Sequence, residues 1–535
     1  MQFLKLVIVI TLTQTFFTVN GQKITDKELG SVLSLPDKSK IRERIIYLSD
    51  DKLKGRLPGT EGYQLAVDFV INELKTIGVK PKGTEGYVQS VVLRKGVVDT
   101  TQSNMKLISK DGTERILRYG KDFAFAPDLN KVSGEATGEV VFAGYGIVAN
   151  HLNHDDYKDL DVKGKIVLLQ SGTPGEFPAS EKAHFSLAVT KCEAAGKQGA
   201  VGVILMVSGN EAQALAGLSR ASMDGITGYV NPDGNAFSSR TNIFKDVKFL
   251  AYLRASLFTD QINDKTPRAL GIKIAARSAT KNVDVKSENV VGVIEGSDSK
   301  LKDEYLVHSA HLDHVGIGKP VNGDSIYNGA HDNASGVSCL LEIAKLYTKA
   351  KLKRSVLIVF VTSEEKGLLG SGYFATNPTV PKEKIVADIN TDMPTLIAPL
   401  LSIEPLGAVH SSLMNEVKNA ASFLNLDVME DHMPDQVRFV RSDQYSFIRQ
   451  GIPALHVKYG LKTTDPSVDL RKVIDDWTAA HYHKPSDEFS DAAFNFDAAV
   501  TYVKLNFLIG WQVANTTARP SWNKGDFFGQ TFRGK

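Results

Sequence analysis

The sequence predicts an α/β chain: a largely parallel mixed sheet flanked by helices, interrupted by a β-rich insertion. Three observations carry this. From Asn289 onward, short apolar runs ("NVVGVIEG", "EYLVHSAH", "SVLIVFVTSEE", "IVADINTDM", "APLLSIEP") alternate with helical stretches such as "ASGVSCLLEIAKLYTKA" and "AVHSSLMNEVKNAASFL". Strand–helix–strand alternation argues a parallel sheet with crossover helices on its faces. Between about Lys121 and Arg277 the texture changes to closely spaced β-like runs around one helical segment, "HFSLAVTKCEAAGKQGA". Finally, 535 residues exceed what one compact core organises, so at least two domains are expected.

The elements follow in chain order. Residues 1–21 carry Lys5, an apolar stretch from Leu6 to about Phe17, and Val19 and Gly21 where cleavage would fall. That is the pattern of a secretory signal peptide. Its apolar run is shorter than the ~20 residues a spanning helix needs. The expectation is an exported chain, periplasmic or extracellular, with no membrane span in the mature protein. Residues 36–120 open the main domain. They contain a Gly/Pro turn, an amphipathic helix with Leu65, Val67, Phe69, Val70 and Leu74 on its apolar positions, and the strand "YVQSVVLRK". Residues 121–277 form the insertion, where His151, His154, Asp155 and Asp156 fall in a polar loop. Residues 285–512 hold the main α/β part, running through "IPALHVKYG" to a last amphipathic helix. Residues 516–535 read as a loose polar tail with Gly and aromatics.

Composition narrows the function. The net charge is +2 with no basic block, which argues against nucleic acid as a partner. The two cysteines, Cys192 and Cys339, sit far apart in apolar helical contexts and read as buried free thiols. With no cysteine cluster, a metal site must use His and carboxylates.

In an open α/β sheet, ligands sit beyond the carboxyl ends of the strands. Those positions carry His311, Asp313 and His314 after "EYLVHSA", then Asp332 in the next loop. Glu364 and Glu365 follow "VLIVFVTS", Asp392 follows "IVADINT", and His483 lies in "HYHKPSDEF". Each piece alone has a plain reading: a hydrogen-bonded core His, an Asp/Asn helix cap, acids placed on a helix dipole. Together they would repel and desolvate badly unless one or two divalent cations bind among them.

The ordered set "HLDH", "GAHDNASG", "TSEEKGLLGS", "NTDM", "HKPSDEF" resembles the secreted di-zinc aminopeptidases of peptidase clan MH, relatives of glutamate carboxypeptidase and glutaminyl cyclase. The resemblance covers about Asn289 to Trp511, plus "GRLPGTEGYQLAVDFV". "DVKGKIVLL" followed by "CEAAGKQGAVGVILM" is similar to the protease-associated domain inserted in such enzymes. The resemblance implies a zinc exopeptidase-like fold and two Zn2+ per chain. Asp332 would bridge them, His311 and Asp392 would complete one ion's ligands, and Glu365 and His483 the other's. Glu364 would be the general base, Asp313 would orient His311, and a strained peptide would fall at Asp332–Asn333. Tyr482, or alternatively Tyr459, would polarise the substrate carbonyl, with packing as the plainer role for both. His308, His314, His331 and His481 are given structural roles. The implied partner is a peptide with a free N-terminus, cleaved at its first residue; the oligomeric state is unknown. Three alternatives stay open: a carboxypeptidase or dipeptidase using Arg438 and Arg441, a glutaminyl cyclase, and a non-catalytic binding ectodomain.

Overall fold

The computed structural model describes residues 26–534, apart from 208, 224, 240, 259, 260, 263–265 and 395. The expected signal peptide lies outside the described residues.

The strand Ser355–Val361 is buried along its whole length. A continuous β-branched and aromatic run suits a strand covered on both faces. It lies at the centre of the main sheet, parallel to Tyr305–His311, which runs parallel to Ile385–Asn390 and then Ala454–Tyr459. Antiparallel strands flank this parallel core. Arg268–Ile294 pairs with Ser355–Val361 on one side, and Ser402–Leu406 pairs with Ala454–Tyr459 on the other. The sheet is therefore mixed and mostly parallel, as its apolar runs predict.

Helices cover both faces. Glu61–Ile77 starts at Thr60, whose hydroxyl accepts from the Tyr63 amide, and stops at Gly78, which has φ 90°. Gly supplies that left-handed terminus without a Cβ penalty. Phe496–Asn515 departs from the amphipathic helix its sequence suggests: from Leu505 to Asn515 every residue is buried. It is wedged between Gly336–Lys349 and Leu413–Phe423, so no side of its last turns faces water.

The insertion has its own sheet. Ser133–Phe142, Ile166–Gln170, Gly202–Val207 and Phe249–Arg254 run parallel in that spatial order. Apolar clusters cover its two faces, one built around Phe125, Phe142 and Phe249, the other around Cys192, Val203 and Leu250. The 27-residue strand Arg268–Ile294 joins both sheets. Its first half pairs with Ser133–Phe142, its second half with Val88–Val98.

Cys192 and Cys339 are both free and buried. The polar loop near His154 is a turn: the Asp156 carboxylate accepts the Tyr145 and Ile147 amides, each at 3.0 Å, and His154 lies 3.1 Å from it. The C-terminal tail is not loose. It ends in the short helix Phe527–Phe532, which buries Phe528 and Phe532. There Phe527 stacks on His151 of the insertion, with ring centroids 5.0 Å apart. Aromatic burial outweighs the polar composition of the segment. Among the described residues no helix is long and apolar enough to cross a membrane.

Candidate metal centre

Parallel pairing delivers the chemistry to one edge. His311 ends its strand opposite Val361, so the neighbouring strand releases its chain into the turn Thr362–Leu368 at the same level. Inside that turn Ser363 and Leu368 have φ of 56° and 58°. The amides of Gly367 and Leu368 both donate to the Glu364 carbonyl, at 2.8 and 2.9 Å. From the adjacent loop, the Asp313 carboxylate accepts the amides of Glu364 at 3.0 Å and Glu365 at 3.3 Å. Left-handed backbone recurs beside the other donors, at Met393 (φ 42°) and at His483 itself (φ 53°). Such conformations cost roughly 1–3 kcal/mol each and persist only where the surroundings impose them. The Asp332–Asn333 peptide bond is cis.

Asp332 is the centre of the arrangement. One carboxylate oxygen lies 3.2 Å from His311 Nε2, the other 3.2 Å from His483 Nε2. His311 Nε2 is also 3.3 Å from Asp392 Oδ1, and His483 Nε2 is 3.0 Å from Glu365 Oε2. Two groups able to hold a cation therefore share Asp332: His311–Asp332–Asp392 and His314–Asp332–Glu365. The structure brings together all five residues to which the resemblance assigns metal binding. Ligands ~2.0–2.2 Å from a common zinc stand ~3.3 Å apart at tetrahedral corners, the spacing found here. Among the described residues, neither His483 Nε2 nor His314 Nδ1 has a hydrogen-bond partner in good alignment, despite carboxylate oxygens about 3 Å away. Buried imidazole nitrogens crowded against carboxylates without hydrogen bonds fit a cation between them.

The electrostatics without a cation point the same way. Burial lowers His483, but Asp332 and Glu365 outweigh it and raise it to about 10. His311 is likewise raised well above its ordinary value, by Asp332 and Asp392 against burial. Burial and Asp332 push Glu365 up, but His314 and His483 prevail and hold it low.

Glu364 behaves differently from its neighbour. It is half-buried, and among the described residues its carboxylate has no ion-pair partner within 4.0 Å, whereas Glu365 approaches both His314 and His483. Burial raises Glu364 well above the usual carboxylate range, with Glu365 and Asp392 adding to the effect and His311 opposing it. Tyr482 stacks on His483 with centroids 3.9 Å apart, and burial beside four carboxylates keeps its phenol protonated. Tyr459 is turned away from this role, because its hydroxyl donates to the Ala398 carbonyl at 2.9 Å. Asp313 meets His311 through its carbonyl oxygen, 3.2 Å from Nδ1, while its carboxylate, 4.0 Å away, serves the Glu364–Glu365 amides. It orients the glutamate turn at least as much as the imidazole.

His308, His331 and His481 lie where structural roles place them. They bond Tyr347 Oη at 2.9 Å, stack on Phe494 at 4.0 Å, and bond the Ser486 carbonyl at 2.8 Å, respectively. His314 departs from expectation: its Nδ1 lies 2.9 Å from Glu365 Oε1. Sequence spacing alone does not show this, since the chain turns sharply after His311. Asp487, in the same short motif as His483, was also missed. Its carboxylate accepts the amides of His331 at 2.9 Å and Asp332 at 3.0 Å. The segment 441–447 also reaches the site: Ser442 is buried and donates to Asp392 Oδ2 at 2.5 Å. Arg438 is held by Glu404 at 2.5 Å and by Asp431, with His432 on the other Glu404 oxygen.

Fold and paired donor groups together define a class: a mixed α/β sheet with two candidate metal-binding groups at the carboxyl ends of its parallel strands. Residues 289–508 match the model of Peptidase family M28, and residues 136–233 match that of the PA domain. The main domain is thus similar to peptidase family M28, and the insertion to the PA domain. Aminopeptidase Y of Saccharomyces cerevisiae is 29% identical over 228 residues, covering 41% of this chain and 38% of that protein. A probable leucine aminopeptidase 2 of Aspergillus oryzae is 26% identical over 411 residues, covering 75% and 68%. The chain thus spans about two fifths of the length of the yeast relative and two thirds of the Aspergillus one. In fold it is similar to an aminopeptidase structure from Aneurinibacillus sp. strain AM-1, at TM-score 0.50 and 18% identity over 91% of this chain and 96% of that one.

Proposed function

We propose that this chain is an exported zinc-dependent aminopeptidase that removes N-terminal residues from peptides, with two metal positions sharing Asp332 and Glu364 as general base. One observation carries the reading: two His–carboxylate groups meet on Asp332, and of the adjacent glutamates Glu365 approaches two imidazoles while Glu364, among the described residues, has no ion-pair partner. His311 and Asp392 would hold one ion, Glu365 and His483 the other, with His314 beside it. Bound there, zinc supplies Lewis acidity toward the scissile carbonyl and lowers the pKa of the attacking water.

The rest falls to the chain. Glu364, raised by burial above the usual carboxylate range, takes a proton from the attacking water and delivers it to the leaving amine. Tyr482 Oη, kept protonated, donates toward the developing oxyanion. Asp313 fixes the turn so that Glu365 serves the metal while Glu364 stays free for the proton. Of the two arginines the carboxypeptidase alternative would use, Arg438 is already paired with two acids, which counts against that reading, while Arg441 is exposed. A complete donor set counts against the cyclase and binding-ectodomain readings. We further propose the division into 36–120, 121–277 and 285–512, with a leader at 1–21.

Metal analysis with a paired substrate set tests this. The expected result is two zinc ions per chain and hydrolysis of peptides with a free N-terminus, lost on N-acetylation. Cleavage of N-acetylated peptides only would sink the aminopeptidase reading.

A further inference from the structure

We infer that Arg56 is a positioning residue for the metal centre, one whose guanidinium holds the two ligand-bearing loops in register. The inference rests on the metal-binding reading above.

Arg56 is 1% exposed and belongs to none of the donor groups. Its five N–H groups meet five backbone carbonyls. Nε donates to Leu312 at 2.9 Å, Nη1 to Leu48 and to Asn328 (2.6 Å), and Nη2 to Gly329 at 3.0 Å and Asp332 at 3.4 Å. Leu312 lies between His311 and Asp313; Asn328 and Gly329 lead into Asp332. The residue's own carbonyl accepts the His314 amide at 3.2 Å. The side chain therefore touches the backbone at, or next to, His311 and Asp332, and the residue's own carbonyl adds His314.

The local backbone is built for this insertion. Lys54, Gly55 and Arg56 all have positive φ, at 49°, 67° and 49°. A Cβ on Gly55 would stand 2.4 Å from the Tyr327 carbonyl oxygen, so only glycine lets the segment pass beneath the hairpin Gly316–Tyr327.

Burying a cation without a directly paired acid is costly. Among the described residues no carboxylate lies within 4.0 Å of this guanidinium. Burial lowers its pKa to about 10; the acids of the site, Asp332, Asp487, Asp313 and Glu365, oppose that and favour its charged form. A packing role alone would not need a charge here. A planar fork with five directed donors does what a lysine, with three donors at one point, cannot.

The test is zinc affinity of the purified full chain, by competition with a chromophoric chelator, together with kcat and KM, for Arg56→Lys and Arg56→Gln. We expect both variants to lose ~10–100-fold in zinc affinity, the range seen when outer partners of metal ligands are removed. The loss should fall on kcat rather than KM at fixed zinc, and Lys should not rescue it. Folded variants that bind zinc within threefold of wild type, with only a lowered melting temperature, overturn the inference. If neither variant folds without metal, recovery of the folded fraction with added zinc supports it, and no recovery overturns it. A wild-type chain that binds no zinc would instead remove the metal reading itself.

Discussion

Glu364 and Glu365 are adjacent on one turn, yet their surroundings give them different tasks. Glu365 faces two imidazoles; Glu364 faces none and is raised by burial. Glu364→Gln is therefore expected to keep bound zinc and lose ~100–10,000-fold in kcat, the usual contribution of general acid–base catalysis. Glu365→Gln should lose zinc first, seen as a lower metal content after dialysis. Equal zinc loss in both would contradict the division. A pH effect belongs to the same residues. In metal-free protein His483 is raised from 6.5 to about 10. Its contribution to stability is then complete below its unfolded pKa of about 6.5 and is lost as pH climbs through its folded value. The denaturation midpoint of chelator-treated protein should fall between pH 6.5 and 10. Zinc-loaded protein should show a flatter profile there, because the ligand histidine is already neutral. A metal-free midpoint that rises across that range would refute the sign.

At the scale of elements, loops are positioned by other loops. Asp487 accepts the Asp332 amide from a segment more than 150 residues away in sequence. Asp487→Asn turns one acceptor into a donor facing an N–H, and should weaken zinc binding ~10–100-fold without changing secondary structure; circular dichroism and chelator competition check both halves. The strand ends that carry the donors were legible from the sequence, because a buried parallel strand is a short apolar run and its exit loop follows directly. His314, Ser442 and Asp487 were not legible as parts of the site. Their roles depend on how the chain turns after each strand, and those turns use left-handed residues such as Ser363 and Met393 that carry no sequence signature.

At the scale of the molecule, the tail and the insertion are one mechanical unit with the main domain. His184 of the insertion bonds Tyr445 Oη at 3.1 Å, and His410 bonds Asp526 of the tail at 2.7 Å. Phe528, fully buried, packs against Phe439 and Tyr445. Phe528→Ala should cost about 3–5 kcal/mol, read as a lower denaturation midpoint, and should make the insertion more sensitive to proteolysis. An unchanged midpoint would mean that the tail does not fasten the two domains.

The sequence by itself determined the α/β class, the edge at which chemistry collects and the identities of the main donors, because strand burial and carboxyl-end loops are local consequences of apolar runs. Only the tertiary structure decided that His314 and Asp487 come to the centre and that Arg56 hydrogen-bonds its loops. Those outcomes depend on distances between segments far apart in the chain, and only packing fixes such distances.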